Sequence, residues 1–242
     1  MTDRAVRRAA VATALAAVLV TGCGGGIAAQ PDEFLTPTTI AGAPDAPLVL
    51  MVGDSITQFS RAELAATFTG RGWPSATVGH SGTTVAENRG RIKGAVAQSP
   101  DVLVVALGTN DALQAASPVD RRSPGDRQDL LEESIDQIDA ALDDAESVPC
   151  VVWADVNDWT STPLLRTTGA GETINQALRR QAEGRPKVHV ASYADTFRPA
   201  AEPAASFLAA NFDPEGLHPV SPAARLRFAA LVADTVASAC KI

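Results

Sequence analysis

Five short apolar runs recur along this chain, and each is separated from the next by a stretch long enough for a helix. The runs are suited to buried strands: Leu48–Val52, Ala76–Val78, Val102–Leu107, Cys150–Trp153 and Val188–Ala191. Strands that alternate with crossovers of about ten residues or more pair in parallel, and helices then cover both faces of the sheet. The pattern predicts an α/β fold, a three-layer α/β/α sandwich with a parallel sheet of about five strands.

Helical periodicity is clearest from Leu131 to Leu142, where apolar residues recur at every third or fourth position and carboxylates occupy the opposite face. Four further stretches are predicted to be helical: 58–70, 84–97, 171–183 and 222–238. The segment 113–127 is predicted to be an exposed loop. In a parallel α/β sheet, ligands bind beyond the carboxyl ends of the strands.

The first 22 residues have the layout of an export signal. Three arginines precede an apolar run of 12 residues, Ala9–Val20, which is too short to span a bilayer in a mature protein. The tetrapeptide that ends at Cys23 is similar to a bacterial lipobox, in which the cysteine carries lipid. We predict a lipoprotein signal peptide over 1–22 and lipidation of Cys23, with an ordinary cleavage site before a cysteine as the alternative.

Residues 23–46 are rich in Gly, Pro, Ala and Thr, and they are predicted to tether the domain to a membrane. The remaining residues, 47–242, suffice for one sizeable core. Without residues 1–22, the chain has 17 basic and 27 acidic side chains, a net charge of −10. Since the whole chain has three lysines and no basic stripe, nucleic-acid binding is disfavoured.

Two cysteines, Cys150 and Cys240, remain besides Cys23. Cys150 opens a predicted strand and Cys240 closes the last predicted helix, and strands of a parallel sheet begin at the face where helices end. Export permits a disulfide between them. The alternative is a pair of buried free thiols.

Ser55, in Gly53-Asp54-Ser55, follows the first apolar run. A serine at a strand-to-helix turn exposes its hydroxyl, and its backbone N–H points toward a site suited to a developing anion. Ser55 is therefore the candidate nucleophile, although Asp54, Ser55 or Thr57 can also serve as a helix cap.

Two further residues follow the next strands. Gly82 offers an unobstructed N–H, or a turn with positive φ. Asn110, in Gly108-Thr109-Asn110-Asp111, can donate its amide to an oxyanion, or form an Asx turn. Asp111 is interpreted as a structural partner of that turn, or as a helix cap.

His218 lies before the last helix with Glu215 three residues earlier. Glu215 is predicted to hold Nδ1 of His218, so that Nε2 takes the proton from Ser55. Of the other histidines, His80 lies near the end of the second strand, and His189 lies in a predicted buried strand and is interpreted as a core residue.

Ser55, Gly82, Asn110 and His218 occur in the order, and within the short motifs, of the SGNH (GDSL-type) hydrolase superfamily, which residues 47–242 resemble. The resemblance implies a Ser-His-acid mechanism with an oxyanion hole from the N–H groups of Ser55 and Gly82 and the Asn110 side chain. No metal or cofactor is implied.

One position departs from that family. Its members usually have Asp three residues before the histidine, where this chain has Glu215. Glu215 is preferred as the acid, with Asp213 or a backbone carbonyl as the alternatives. Residues predicted to lie at the rim of the site are Arg121, Arg122, Arg127, Asn157, Asp158, Trp159 and Thr160.

The expected function is that of an exported, lipid-anchored serine esterase, acting on an envelope lipid or an O-acylated glycan. An acyltransferase with the same acyl-enzyme is one alternative. A non-catalytic lipoprotein that binds a glycan or lipid is the other. The sequence leaves acyl length and oligomeric state open.

Overall fold

The predicted sheet is present in the computed structural model, in which residues 37–38, 45–116, 123–158, 169–198 and 210–242 are described. The strands are β1 (Val49–Gly53), β2 (Ser75–Gly79), β3 (Val102–Ala106), β4 (Cys150–Ala154) and β5 (Val188–Ala191). All pair in parallel, in the order β2-β1-β3-β4-β5. The prediction of a parallel α/β sandwich is confirmed.

Helices connect the strands and cover the sheet. They are α1 (Ser55–Phe59), α2 (Arg61–Gly70), α3 (Val85–Val96), α4 (Thr109–Ala116), α5 (Pro124–Asp144), α6 (Ala170–Glu183), α7 (Tyr193–Phe197) and α8 (Pro222–Cys240). The helix predicted over 58–70 is two helices that meet at Ser60, and it starts earlier, at Ser55. Helices α4 and α7 were not predicted.

The two faces of the sheet are buried by different helices. Successive strand residues point to opposite faces. Leu50 and Val52 pack in a core with residues of α3, α4, α5 and α6. Val49 and Met51 pack in a second core with residues of α1, α2, α7 and α8. Because both faces are covered, the strands can be apolar throughout.

Side-chain caps explain where several helices begin. Thr84 forms a capping box with Glu87 at the start of α3, and Ser123 forms one with Asp126 at the start of α5. Ser221 caps α8, in which proline is the first residue. These caps place each helix start within one residue of a Ser or Thr that the sequence displays.

The prediction of an exposed loop over 113–127 is wrong at both ends of the segment. Ala115 and Ala116 are buried in the last turn of α4. Residues 124–127 form the first turn of α5, so Arg127 belongs to a helix. Arg121 and Arg122 lie outside the described residues.

The two cysteines Cys150 and Cys240 form a disulfide, with their Cα atoms 5.7 Å apart. The disulfide joins the first residue of β4 to the last residue of α8, as the topology predicted, and the alternative of two free thiols is wrong. His189 is half-buried rather than fully buried. The reason is its position on β5, which is an edge strand.

At the N-terminal end, Thr38 lies within the predicted tether and hydrogen-bonds to the start of β2. Its N–H donates to the Ser75 carbonyl at 2.9 Å, and its Oγ1 accepts from the Ser75 N–H at 3.1 Å. Cys23 and the predicted signal peptide lie outside the described residues. In the part of the chain that the structure describes, no helix is long and apolar enough to cross a membrane.

Candidate active site

Ser55 lies at the turn between β1 and α1 and is the first residue of that helix. Asp54 caps the helix, since its Oδ1 accepts from the Ile56 N–H at 2.9 Å. The turn packs closely against β2. A Cβ on Gly79 would lie 2.5 Å from the Gln58 nitrogen and 2.9 Å from the Asp54 carbonyl oxygen. Because Asp54 rather than Ser55 caps the helix, the Ser55 hydroxyl is left for another partner.

That partner is His218, which comes from a different part of the chain. Its Nε2 lies 2.8 Å from Ser55 Oγ, and its Nδ1 lies within hydrogen-bond distance of Asp213 Oδ2. A carboxylate on Nδ1–H leaves Nε2 free to accept the serine proton. The three side chains form one hydrogen-bonded line.

A short reverse turn brings Asp213 and His218 together. Phe212 and Pro219 form an antiparallel bridge, and the Asp213 N–H donates to the His218 carbonyl at 3.0 Å. Asp213 also uses its second oxygen, because Oδ1 accepts from the N–H groups of Leu217 at 2.8 Å and His218 at 3.2 Å. The carboxylate both closes the turn and orients the imidazole.

The preference for Glu215 as the acid is corrected by this geometry. Glu215 is exposed at the tip of the turn, whereas Asp213 lies opposite His218 across it. The chain folds back between residues 213 and 218, so five positions rather than three separate the carboxylate from the histidine. Asp213, the alternative acid, occupies the place predicted for Glu215.

Asn110 connects the serine turn with the Gly82 turn. It is the second residue of α4, and its Nδ2 donates to the Thr83 carbonyl at 3.0 Å and lies 3.4 Å from Asp54 Oδ2. Thr83 and Asp54 are the chain neighbours of Gly82 and Ser55. Gly82 has φ of +76°, which a residue without Cβ adopts readily. The three predicted oxyanion donors thus lie on two adjoining turns and at the start of α4, at the carboxyl edge of the sheet.

Two buried carboxyl groups lie behind these donors. Burial raises the pKa of Asp54 to about 7, and the nearby Asp111 adds to the effect. Burial also raises the pKa of Asp111 to about 6, against the opposing hydrogen bond from the Val85 N–H at 3.1 Å. Asp111 is therefore a structural partner as predicted, but it caps α3 rather than its own helix. Ionising both carboxyl groups together is costly.

The rim predictions have mixed outcomes. Asn157 is buried, and its Nδ2 lies 3.5 Å from the Gly216 carbonyl in the turn that carries His218, so it supports the turn rather than lining a rim. Asp158 is paired with Arg198 at 3.8 Å. Trp159 and Thr160 lie outside the described residues.

Two residues near the site were missed in the sequence. Phe59 packs its ring against His218, with centroids 5.2 Å apart; its position four residues after Ser55 was the available signal. Asp155 follows β4 and accepts from the Ala194 N–H at 2.8 Å while pairing with Arg179 at 3.1 Å. Burial raises the pKa of Asp155 to about 6, and its contacts connect β4 to α7.

Among the described residues, no group of three or more His, Cys, Asp or Glu side chains could hold a metal ion. The polar groups that converge on Ser55 are an imidazole, a carboxylate and an amide. That set suits nucleophilic acyl transfer, in which a base activates the serine and donors stabilise an oxyanion.

Comparison with known proteins agrees with this chemistry. Residues 51–226 match the GDSL-like Lipase/Acylhydrolase family, and the chain belongs to that family. It is thus a GDSL-type serine hydrolase that acts on ester bonds. No curated protein matches the chain.

Solved structures with low sequence identity share the fold. One is a GDSL-like lipase candidate from Parabacteroides merdae, with 19% identity, a TM-score of 0.58, and coverage of 78% of this chain and 94% of its own. Another is Axe2, an acetylxylan esterase from Geobacillus stearothermophilus, with 16% identity, a TM-score of 0.57 and the same coverage. The described sheet and helices therefore have the same architecture as these two proteins.

Proposed function

We propose that this protein is an exported serine esterase that removes small acyl groups, acetyl above all, from an O-acylated glycan of the cell envelope. The observation that carries the proposal is the line from Ser55 Oγ to His218 Nε2, at 2.8 Å, and from His218 Nδ1 to Asp213. A hydroxyl buried beside an imidazole and a carboxylate is the arrangement that activates a serine for attack on a carbonyl.

The reaction has two halves. Ser55 Oγ attacks the ester carbonyl as its proton passes to His218 Nε2, and the carbonyl oxygen becomes an oxyanion. The N–H groups of Ser55 and Gly82 donate to that oxyanion, and so does the Asn110 amide hydrogen that now faces Asp54 Oδ2 at 3.4 Å. His218 then gives the proton to the departing alcohol, which leaves an acyl group on Ser55. Water, activated by His218, hydrolyses the acyl-enzyme and restores the serine.

Asp213 has a fixed place in this sequence of steps. Its Oδ2 keeps the Nδ1 proton in position and stabilises the imidazolium that forms after attack. Its Oδ1 stays occupied by two backbone N–H groups. The carboxylate therefore cannot rotate away from the ring without breaking the turn.

Two observations favour a small acyl group on a glycan. Axe2, which shares the fold, is an acetylxylan esterase, and variants of it that are described as catalytic mutants replace a serine, a histidine and an aspartate. The same three residue types converge here. The predicted signal peptide over 1–22 and lipid on Cys23 would hold the enzyme at the outer face of a membrane, near envelope glycans.

The test of the chemistry is acetate release by the full chain, purified in mild detergent, from p-nitrophenyl acetate and from acetylated xylan. Ser55→Ala is the matched control, since it removes one oxygen and leaves Asp54 as the helix cap. The proposal expects activity on both substrates that falls by at least about 10³-fold in the variant. Equal rates for the two proteins would exclude a serine esterase.

The same reactions distinguish the two alternative functions. An acyltransferase would give transfer product in excess of hydrolysis when a sugar acceptor is added. A binding protein would retain ligand affinity in the Ser55→Ala variant while neither protein released acetate. For the anchor, Cys23→Ser should abolish incorporation of labelled fatty acid and release the protein from membranes; retention of both would exclude lipidation at Cys23.

A further inference from the structure

Phe59 is a large apolar side chain that is exposed beside the candidate base. It is 53% exposed, and its ring lies 5.2 Å from the His218 ring, centroid to centroid, at an interplanar angle of 71°. It ends the one-turn helix that begins with Ser55. Residues four apart share one face of a helix, so the exposed ring lies on the same side as the nucleophile.

The direction of proton transfer decides which part of an ester meets this ring. His218 Nε2 must reach the oxygen of the departing alcohol in order to protonate it. In the tetrahedral intermediate, the oxyanion points to Asn110 and Gly82, so the departing oxygen points to His218. The alcohol portion of the ester therefore leaves the site past the imidazole, against which Phe59 packs.

We propose that Phe59 contacts the alcohol portion of the substrate and selects alcohols that carry a saturated six-membered ring, as in a pyranose. This inference rests on the proposed esterase function and adds the feature of the alcohol that the site recognises. The exposed aromatic ring offers an apolar surface that can cover one face of such a ring, and contact there excludes water from both. A small open-chain alcohol is too short to cover it.

A different role for Phe59 makes a different prediction. If the ring only positions His218, its loss slows every ester by the same factor, because every ester needs the same base. If it contacts the alcohol, its loss slows ring-bearing alcohols more than small ones, and it leaves selectivity for the acyl chain unchanged. The distinction lies in ratios of kcat/KM rather than in rates.

The experiment compares cyclohexyl acetate with isopropyl acetate, using the full chain. Both are acetates of secondary alcohols with similar leaving-group basicity, so they differ mainly in the ring. Phe59→Ala should lower the ratio of kcat/KM for the two by about fivefold to tenfold, and tenfold corresponds to about 1.4 kcal/mol. Phe59→Tyr should retain the wild-type ratio, because it keeps the ring. Leu226→Ala, which alters an equally exposed apolar residue on α8, should also retain it.

Two results would overturn the inference. One is an equal loss on both acetates in Phe59→Ala, which would make Phe59 a positioning residue. The other is a changed ratio between p-nitrophenyl acetate and p-nitrophenyl butyrate with an unchanged cyclohexyl-to-isopropyl ratio, which would place the ring against the acyl chain. Failure of the proposed esterase function is separate, since it would appear as wild-type activity that Ser55→Ala does not reduce.

Discussion

Replacing Asp213 by asparagine, beside the matched change Glu215→Gln, tests which carboxylate orients the base. The new amide side chain would be close in size to the carboxylate. Its oxygen could still accept from the N–H groups of Leu217 and His218, which now donate to Asp213 Oδ1 at 2.8 and 3.2 Å. The side chain would place an NH₂ group where Oδ2 now faces His218 Nδ1. Two donors cannot pair there, so the imidazole is driven to the tautomer with its proton on Nε2.

The size of the effect follows from that tautomer. With Nε2 protonated, the ring cannot accept the Ser55 proton across the 2.8 Å contact. The corresponding change in a serine protease lowers kcat about 10⁴-fold, which is about 5.5 kcal/mol in the barrier. Glu215 is exposed and Nδ1 is already engaged by Asp213 Oδ2, so Glu215→Gln should change kcat by less than about threefold.

The assay is kcat for p-nitrophenyl acetate with both variants, with Ser55→Ala giving the floor. Thermal unfolding provides the control, since Asp213→Asn keeps the backbone hydrogen bonds of the turn and should unfold within a few degrees of wild type. The reasoning is refuted if Glu215→Gln loses at least 100-fold while Asp213→Asn retains most of its activity.

Two further predictions concern stability. The double change Cys150→Ser and Cys240→Ser should lower the free energy of unfolding by roughly 4–5 kcal/mol, because the disulfide closes a separation of 90 residues; urea unfolding with and without reductant measures it, and a wild type indifferent to reductant would contradict it. Asp54 has its pKa raised from 3.8 to about 7 by burial, so the folded state binds that proton more tightly than the unfolded state. The stability that this proton binding contributes is complete below pH 3.8 and is lost as the pH rises to about 7. Between about pH 4 and pH 8, the free energy of unfolding of the wild type should therefore fall by on the order of 4 kcal/mol relative to that of Asp54→Asn. Parallel pH profiles of the two unfolding free energies would contradict this.

Much of the fold was predictable because it depends on local patterns. Each strand overlaps a short apolar run, since a strand covered on both faces is apolar at most of its positions. Helices α3, α5 and α8 begin next to the residues that cap them: Thr84, Ser123 and Ser221. Helix α4 was missed because it is only eight residues long and leads directly into the polar stretch with two prolines that ends at Arg127, so its last turn was predicted to be part of the exposed loop.

The candidate site was predictable in part for the same reason. Ser55, Gly82 and Asn110 follow strand ends, and parallel strands bring their carboxyl ends to one edge. The acid was not predictable from spacing. Its identity depends on the hydrogen bonds that fold the chain back between Asp213 and His218, and these are not visible in a count of positions.

The sequence alone therefore indicated the class of fold, the order of the five strands, the pair of cysteines that could form a disulfide, and the candidate nucleophile and base. Each of these depends on periodicity, or on which end of a strand or helix a residue occupies. Only the tertiary structure decided that Asp213 holds the imidazole, that Asp111 caps α3, and that Phe59 lies against His218. Those contacts join residues distant in the chain or across a turn, and their geometry is set by packing and backbone hydrogen bonds rather than by local spacing.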